Sequence, residues 1–248
     1  MKKLAFLAIA AIFVTAPAWA AKGRIQSGRD SKSGDIVWQK ASKKYKVSYK
    51  QGKTELSAEF ALEAVDNIDI EKPAGLDDAI KSKNVAGLKK IVGEYLMLKW
   101  DRVAGKALIE ALLKQDKGDE AYKIAREIIK DDTKAAYLGE FAPAYWKALL
   151  AAGEKTRLEN CLRMAATEGD RLSSANALIM RGDMICASAE SPDWRKALVD
   201  AYLRVALMYQ EEECKPARIE AVERAKKCFT ELGMPSRVST VEEAANIR

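Results

Sequence analysis

From Asp170 to Arg248 the chain runs through alanine-rich helical patterns with short polar breaks and no strand-like segment between them. A helix of this kind buries its alanine stripe only against a neighbour, so the sequence predicts helix hairpins stacked into an α-solenoid. A stack of hairpins offers an extended groove for a partner in place of a catalytic pocket. The pattern therefore points to a class, a protein-binding scaffold, and leaves the partner open.

The same spacing begins after Pro73. Leu88, Ile91, Val92, Tyr95 and Leu96 form one stripe at three- and four-residue steps, and Val103, Ala104, Ala107, Leu108, Ala111 and Leu112 form the next. Asp116-Lys117-Gly118-Asp119 breaks the pattern, and Ala121, Ile124, Ala125, Ile128 and Ile129 resume it. Thr133 is expected to cap a helix reaching Ala152, with Pro143 kinking or restarting it. Further helices are expected over Glu154 to Thr167 and Asp170 to Ala189. Another starts at Ser191-Pro192-Asp193 with Ser191 as its cap, one runs from Pro216 to Gly233, and a last one begins near Pro235.

Ahead of Pro73 the period is two. Tyr45, Val47 and Tyr49 point one way while Lys44, Lys46, Ser48 and Lys50 point the other, as a strand with one buried face requires. Gln51-Gly52-Lys53 supplies a turn before Leu56, Ala58 and Phe60 resume the alternation. The expected strands are Arg24 to Ser27, Asp35 to Lys40, Lys44 to Lys50, Thr54 to Glu59 and Val65 to Ile70. Trp38, Tyr45 and Tyr49 read as the core of so small a domain, with a ligand platform as the alternative.

Residues 1–20 have the form of a secretory signal. Lys2 and Lys3 precede an uncharged run from Leu4 to Ala21, and Ala18 and Ala20 make the small-x-small cleavage pattern. Leu4 to Val14 is shorter than the ~20 residues a spanning helix needs, so cleavage and a periplasmic or secreted mature chain are expected, with no transmembrane segment left. The domains are then residues 1–20, the β module of residues 21–72 and the helical array of residues 73–248.

Charge is unevenly spread. The whole chain carries +6, yet between Lys22 and Lys53 ten Lys or Arg stand against Asp30 and Asp35, a net of +8. An exported basic lobe is expected to meet an acidic protein or an anionic envelope polymer, not nucleic acid, and Lys44, Lys46 and Lys50 are its candidate partner-binding residues. The alternative is that these lysines only keep the domain soluble.

Histidine is absent, which closes the Ser-His and Cys-His nucleophile arrangements and histidine-ligated zinc. There is no Gly-rich phosphate loop and no Gly-x-Ser-x-Gly elbow. Asp131 with Asp132, and Glu211 to Glu213, fall at helix ends and read as solvated charge. No catalytic residue, cofactor or metal is expected, and the chain reads as a non-enzyme.

Cys161, Cys186, Cys214 and Cys228 are an even set. Cys214 and Cys228 stand ~21 Å apart along one helix, far beyond disulfide reach. In an alternating array the Asp170 to Ala189 and Pro216 to Leu232 helices run the same way, with Cys186 and Cys228 level near their ends. Cys186 with Cys228 is therefore the expected pair if any is bridged, and the alternative is four small apolar core residues.

The helical part resembles the tetratricopeptide repeat family. Tyr202, Val205, Ala206 and Tyr209 match the spacing of that family's first helix, and Ala221, Ala225 and Cys228 that of its second. Leu108 and Leu112, then Gly118, Ala121, Ala125 and Ile128, match more weakly. First helices starting near Arg102, Lys134, Arg171 and Pro216 lie 32, 37 and 45 residues apart, against the family's regular ~34. The resemblance implies protein binding through a groove, with no individual binding residue carried over. The five strands and their glycine turns are similar to small SH3-like or Sm-like barrels, which implies a docking or peptide-binding module. Together these lead to an envelope adaptor whose array holds a partner protein and whose β module docks a second partner or an anionic surface. A peptidoglycan or anionic-glycan binding module is the alternative, and a cell-wall-active enzyme a further one.

Overall fold

A computed structural model describes residues 20–187 and 192–245, so the expected signal segment, apart from Ala20, and the expected cap Ser191 lie outside the described residues. The chain is mostly helical, with a five-stranded antiparallel sheet on its N-terminal side. It divides into two units between Lys72 and Pro73, and Glu94–Lys99 clusters with the strands.

The strand unit contains β1 (Ala21–Ser27), β2 (Asp30–Gln39), β3 (Lys44–Gln51), β4 (Thr54–Ala61) and β5 (Asn67–Ile70), in the order β4-β3-β2-β1-β5. Two hairpins close with two residues each, where Ser27 faces Asp30 and Gln51 faces Thr54. Each loop opens on a glycine at positive φ, Gly28 at 58° and Gly52 at 65°, a conformation that costs other residues steric energy.

β2 starts five residues before the expected Asp35. Asp30 to Ser33 lack apolar alternation, but the Gly28 hairpin brings them into the β1 ladder, where backbone hydrogen bonds hold them. A 3-10 turn at Leu62–Ala64 leads into β5. Among the described residues no ladder joins β4 to β5, so the expected barrel is not closed by hydrogen bonding and the sheet keeps two edges. Ile25, Ile36, Tyr45, Val47 and Ile70 are buried. Trp38 and Tyr45 pack with ring centroids 4.7 Å apart, and the Tyr45 hydroxyl donates to Met97 O at 3.0 Å. These two aromatics are core, as the small size of the domain requires.

The helical unit contains α1 (Leu76–Lys81), α2 (Val85–Glu94), α3 (Trp100–Leu113), α4 (Gly118–Ile129), α5 (Ala142–Ala151), α6 (Lys155–Thr167), α7 (Arg171–Cys186), α8 (Trp194–Ala197), α9 (Leu203–Met208), α10 (Lys215–Glu231) and α11 (Val238–Ala244). No described helix is long and apolar enough to cross a membrane. From α3 to α8 each helix packs on the next, and α3, α5, α7 and α10 also touch one after the next, forming a row. Leu108, Leu112, Ala125, Ile128, Trp146, Leu149 and Leu158 are fully buried among α3 to α6. Trp146 satisfies its indole by donating Nε1 to Ala136 O at 2.8 Å.

Three expected helix boundaries change. Thr133 does not cap a long helix: Thr133–Ala136 is a 3-10 turn, and α5 begins at Ala142 with Pro143 in its first turn, where proline's missing N–H costs nothing. The start near Pro192 is capped by Asp193, whose carboxylate accepts from Lys196 N at 2.9 Å. The helix beyond it is not continuous, because Leu198–Tyr202 forms a π-turn between α8 and α9. α7 starts where expected, with the Asp170 side chain accepting from Ser173 N at 2.6 Å.

α7 and α10 run parallel. Arg171, at the start of α7, pairs with Glu211 just ahead of α10 at 2.8 Å, and Asp183 and Arg224, further along the two helices, pair at 2.9 Å.

Candidate functional site

In the strand unit, register decides what the basic residues do. Lys46 lies opposite Glu59 and Lys50 opposite Glu55 in the β3–β4 ladder, and Lys44 Nζ pairs with Glu59 Oε2 at 3.5 Å. Across the sheet the pattern repeats, with Arg24 opposite Asp69 and Lys22 opposite Asp35. Residues 20–72 hold eleven Lys or Arg against eight Asp or Glu, so the surplus of the Lys22 to Lys53 window is largely cancelled by carboxylates that follow it.

A cleft of about 770 Å³ opens on this sheet. It is lined by Lys22, Arg24 and Lys50 together with Asp35, Glu55, Asp69 and Glu71, while Lys44 and Lys46 do not line it. Its floor contains Gly34, where a Cβ would stand 2.1 Å from Ser48 O, so β2 and β3 approach more closely than any side chain permits. Tyr49, the third aromatic of the sequence reading, also faces the cleft, with Lys32 Nζ 5.3 Å from its ring centre.

The helical unit holds a different kind of cleft, about 540 Å³, lined from α4 and its C-cap by Lys123, Arg126, Glu127 and Lys130 and from α6 by Arg157 and Cys161, with Tyr145 of α5 in its wall. Residues 123, 126 and 130 fall on one face of α4 because three- and four-residue steps return to the same side of a helix. Arg126 and Arg157 both stand over the Tyr122 ring, at 5.7 and 5.9 Å, and Arg157 also donates to the Tyr122 hydroxyl. Desolvation opposes the charge of Arg157, but Tyr122, Tyr145 and Glu154 outweigh it and hold its pKa above the ordinary value. Burial, then Cys161 and Tyr122, pushes the Tyr145 phenol up to about 12, so it stays protonated as a donor. Burial likewise raises the Cys161 thiol, which makes it a poor nucleophile. The cleft thus joins four cations to one carboxylate beside apolar walls. Such a lining can hold an anionic group.

A third cluster lies between α7, the π-turn and α10. Tyr202 donates to Asp183 Oδ1 at 2.7 Å, and Arg224 closes a fork on the same carboxylate through Nε at 2.9 Å and a second nitrogen at 3.3 Å. The π-turn brings Tyr202 hard against α7 at Gly182, where a Cβ would meet the ring at 2.6 Å. Burial and the hydrogen bond with Asp183 raise the Tyr202 phenol, and the Asp183 hydrogen bond raises Arg224. Cys186 Sγ lies 3.8 Å from the Tyr202 hydroxyl, and all four cysteines are free thiols.

The acidic clusters take structural roles. Asp132 pairs with Arg102, Glu211 with Arg171 and Glu212 with Lys215. Glu211 is held below the usual carboxylate range by its own backbone N–H and then by Arg171. Among the described residues no group of three or more Cys, Asp or Glu converges as a metal site would require.

The sequence reading missed Lys123, Arg126 and Lys130, although they stand as a stripe opposite Ala121, Ala125 and Ile128, and Arg157 joins them only through the tertiary fold. No family model, curated protein or solved structure matches the chain.

Proposed function

We propose that this chain is a non-enzymatic scaffold exported to the cell envelope, whose helical unit holds an acidic segment of a partner protein in the α4–α6 cleft. One observation carries the reading: Lys123, Arg126 and Lys130 share a face of α4 and meet Arg157 across a groove with apolar walls. Like charges gathered at a low-dielectric wall raise the local concentration of an anionic partner. Arginine in particular presents a planar fork suited to carboxylates. The continuous row α3, α5, α7 and α10 supports a tetratricopeptide-like array, and the strand order with its 3-10 turn before β5 supports an SH3-like docking module. Export rests on the signal pattern of residues 1–20. Lys44, Lys46 and Lys50 carry less of the anion-binding role, because the carboxylates of β4 stand beside them.

The test is a titration of the full chain with a labelled poly-glutamate peptide, set against poly-lysine and a purified anionic envelope polymer. Poly-glutamate binding is expected to fall steeply as salt approaches 1 M, where the screening length is ~3 Å. It is expected to fall at least ~10-fold in Arg126→Glu/Arg157→Glu, a change of ~1.4 kcal/mol. Binding that survives this double substitution, or that does not discriminate between the two peptides, removes the proposal. Preference for the envelope polymer over the peptide would move it to the glycan-binding alternative.

A further inference from the structure

We infer that Cys186 and Cys228 form a disulfide joining the end of α7 to the last turn of α10 when the chain meets an oxidising thiol–disulfide exchanger. The helices are parallel and in register, tied at their starts by Arg171 and Glu211 and one turn before the thiols by Asp183 and Arg224. Cys186 follows Asp183 by three residues and Cys228 follows Arg224 by four, so each lies one turn further along its own helix. Both belong to one packed cluster, Cys228 buried within it and Cys186 against it, and the Cys186 thiol is near enough to act on the titration of Cys228. Tyr202 holds the place from the third side, its hydroxyl bound to Asp183 and 3.8 Å from Cys186 Sγ.

The chemistry closes in two exchanges. The half-exposed Cys186, as thiolate, attacks one sulfur of the oxidant's disulfide and releases its other sulfur as a thiol. Cys228, having given up its proton, then attacks Cys186 Sγ and expels the oxidant's second sulfur. Two protein thiols become one disulfide, and the oxidant's disulfide becomes two thiols. Burial, and then the neighbouring Cys186, pushes the Cys228 thiol up to about 12, so the second exchange is the slow one. Cys161 faces the α4–α6 cleft, and Cys214 sits at the opposite end of α10 from Cys228, ~21 Å away along the axis.

The experiment supplies the oxidant in vitro and so does not depend on export. The reduced full chain is incubated with oxidised glutathione to completion, its remaining thiols are alkylated after unfolding, and the protein is mapped by mass spectrometry without reduction. The expected result is one linked peptide pair carrying Cys186 and Cys228, with Cys161 and Cys214 alkylated. The oxidised chain should also melt several degrees above the reduced one, a shift abolished by Cys186→Ser and retained by Cys161→Ser. Four alkylated or glutathione-capped cysteines, or a link through any other pair, overturns the inference. The map is read on the unsubstituted chain, so poor folding of a variant leaves it decisive.

Discussion

Strand β3 and helix α4 both carry a run of basic side chains, and the fold treats them in opposite ways. On β3, Lys46 and Lys50 receive Glu59 and Glu55 as cross-strand partners. On α4 and its C-cap, Lys123, Arg126 and Lys130 line one face, and α6 adds another cation, Arg157. A two-residue period sends alternate side chains to one face, where an adjacent strand of opposite sign neutralises them. A helical period collects like charges into a stripe that only another helix can complement. The difference shows that a charge surplus counted over a window becomes a surface property only after pairing is known. The carboxylates behave in the same contrasting way: those of β4 are exposed partners, whereas Asp183 anchors a partly buried fork.

The sharpest test of this contrast removes one carboxylate from each unit. Asp183→Ala leaves Arg224 and Tyr202 without their shared acceptor and should cost ~2–3 kcal/mol, while Glu59→Ala should cost less than ~1 kcal/mol. Denaturant midpoints of the two variants measure this, and equal losses would break the comparison.

Alkaline pH gives the next largest effect. The folded pKa values of Cys228 and Tyr145, each about 12, lie above their ordinary values of 9.0 and 10.0. Folding therefore favours the protonated forms: their contribution is complete below pH 9 and is lost as pH climbs through 9 toward 12. Melting temperature followed by the helical circular dichroism signal should fall over that window, and Cys228→Ala should flatten part of the fall. A melting temperature that stays level to pH 11 would show that burial of these groups is not felt.

The smallest effect separates the two units by size. Lys46→Gln removes an opposite-charge cross-strand pair and should destabilise by ~0.2–1 kcal/mol. Lys130→Gln relieves a like-charge pair with Arg126, four residues earlier, by ~0.2–0.5 kcal/mol. It also takes a cation from the C-cap of α4, where the helix dipole favours one by ~0.3–1 kcal/mol, so the two nearly cancel. Chemical denaturation in low salt reads both, and a larger loss in Lys130→Gln than in Lys46→Gln would undo the contrast.

What could be read directly from the chain was local. Tyr45, Val47 and Tyr49 alternate strongly enough to place β3, Gln51-Gly52-Lys53 places its turn, and Asp170 announces α7 through its own cap. Asp30 to Ser33 carried no such signal, because backbone ladders hold polar residues in a strand without marking them. The π-turn was also hidden: Leu198 to Tyr202 satisfy an ordinary helical spacing, and only packing of Tyr202 against Gly182 shows what the turn positions. Of the candidate cleft, the three basic residues of α4 went unmarked although their helical spacing shows them on one face, and Arg157 needed the return of the chain through α6. The Asp183 to Arg224 fork spans 41 residues, beyond any local pattern. The place assigned to Cys186 and Cys228 followed from helix direction alone, which the ion pairs of α7 with Glu211, ahead of α10, and with Arg224 on α10 support.

The two edges of the sheet have a consequence for the behaviour of the chain at high concentration. An open strand edge is a template on which another molecule's strand can add, and growth of that kind ends in aggregates. β5 offers only four residues and carries Asp69. β4 is longer, but it carries Glu55 and Glu59, so two β4 edges brought together would set carboxylate against carboxylate. The residues that cancel the lysines of β3 within one molecule thus repel the same edge of the next, and the sheet stays finite without being closed.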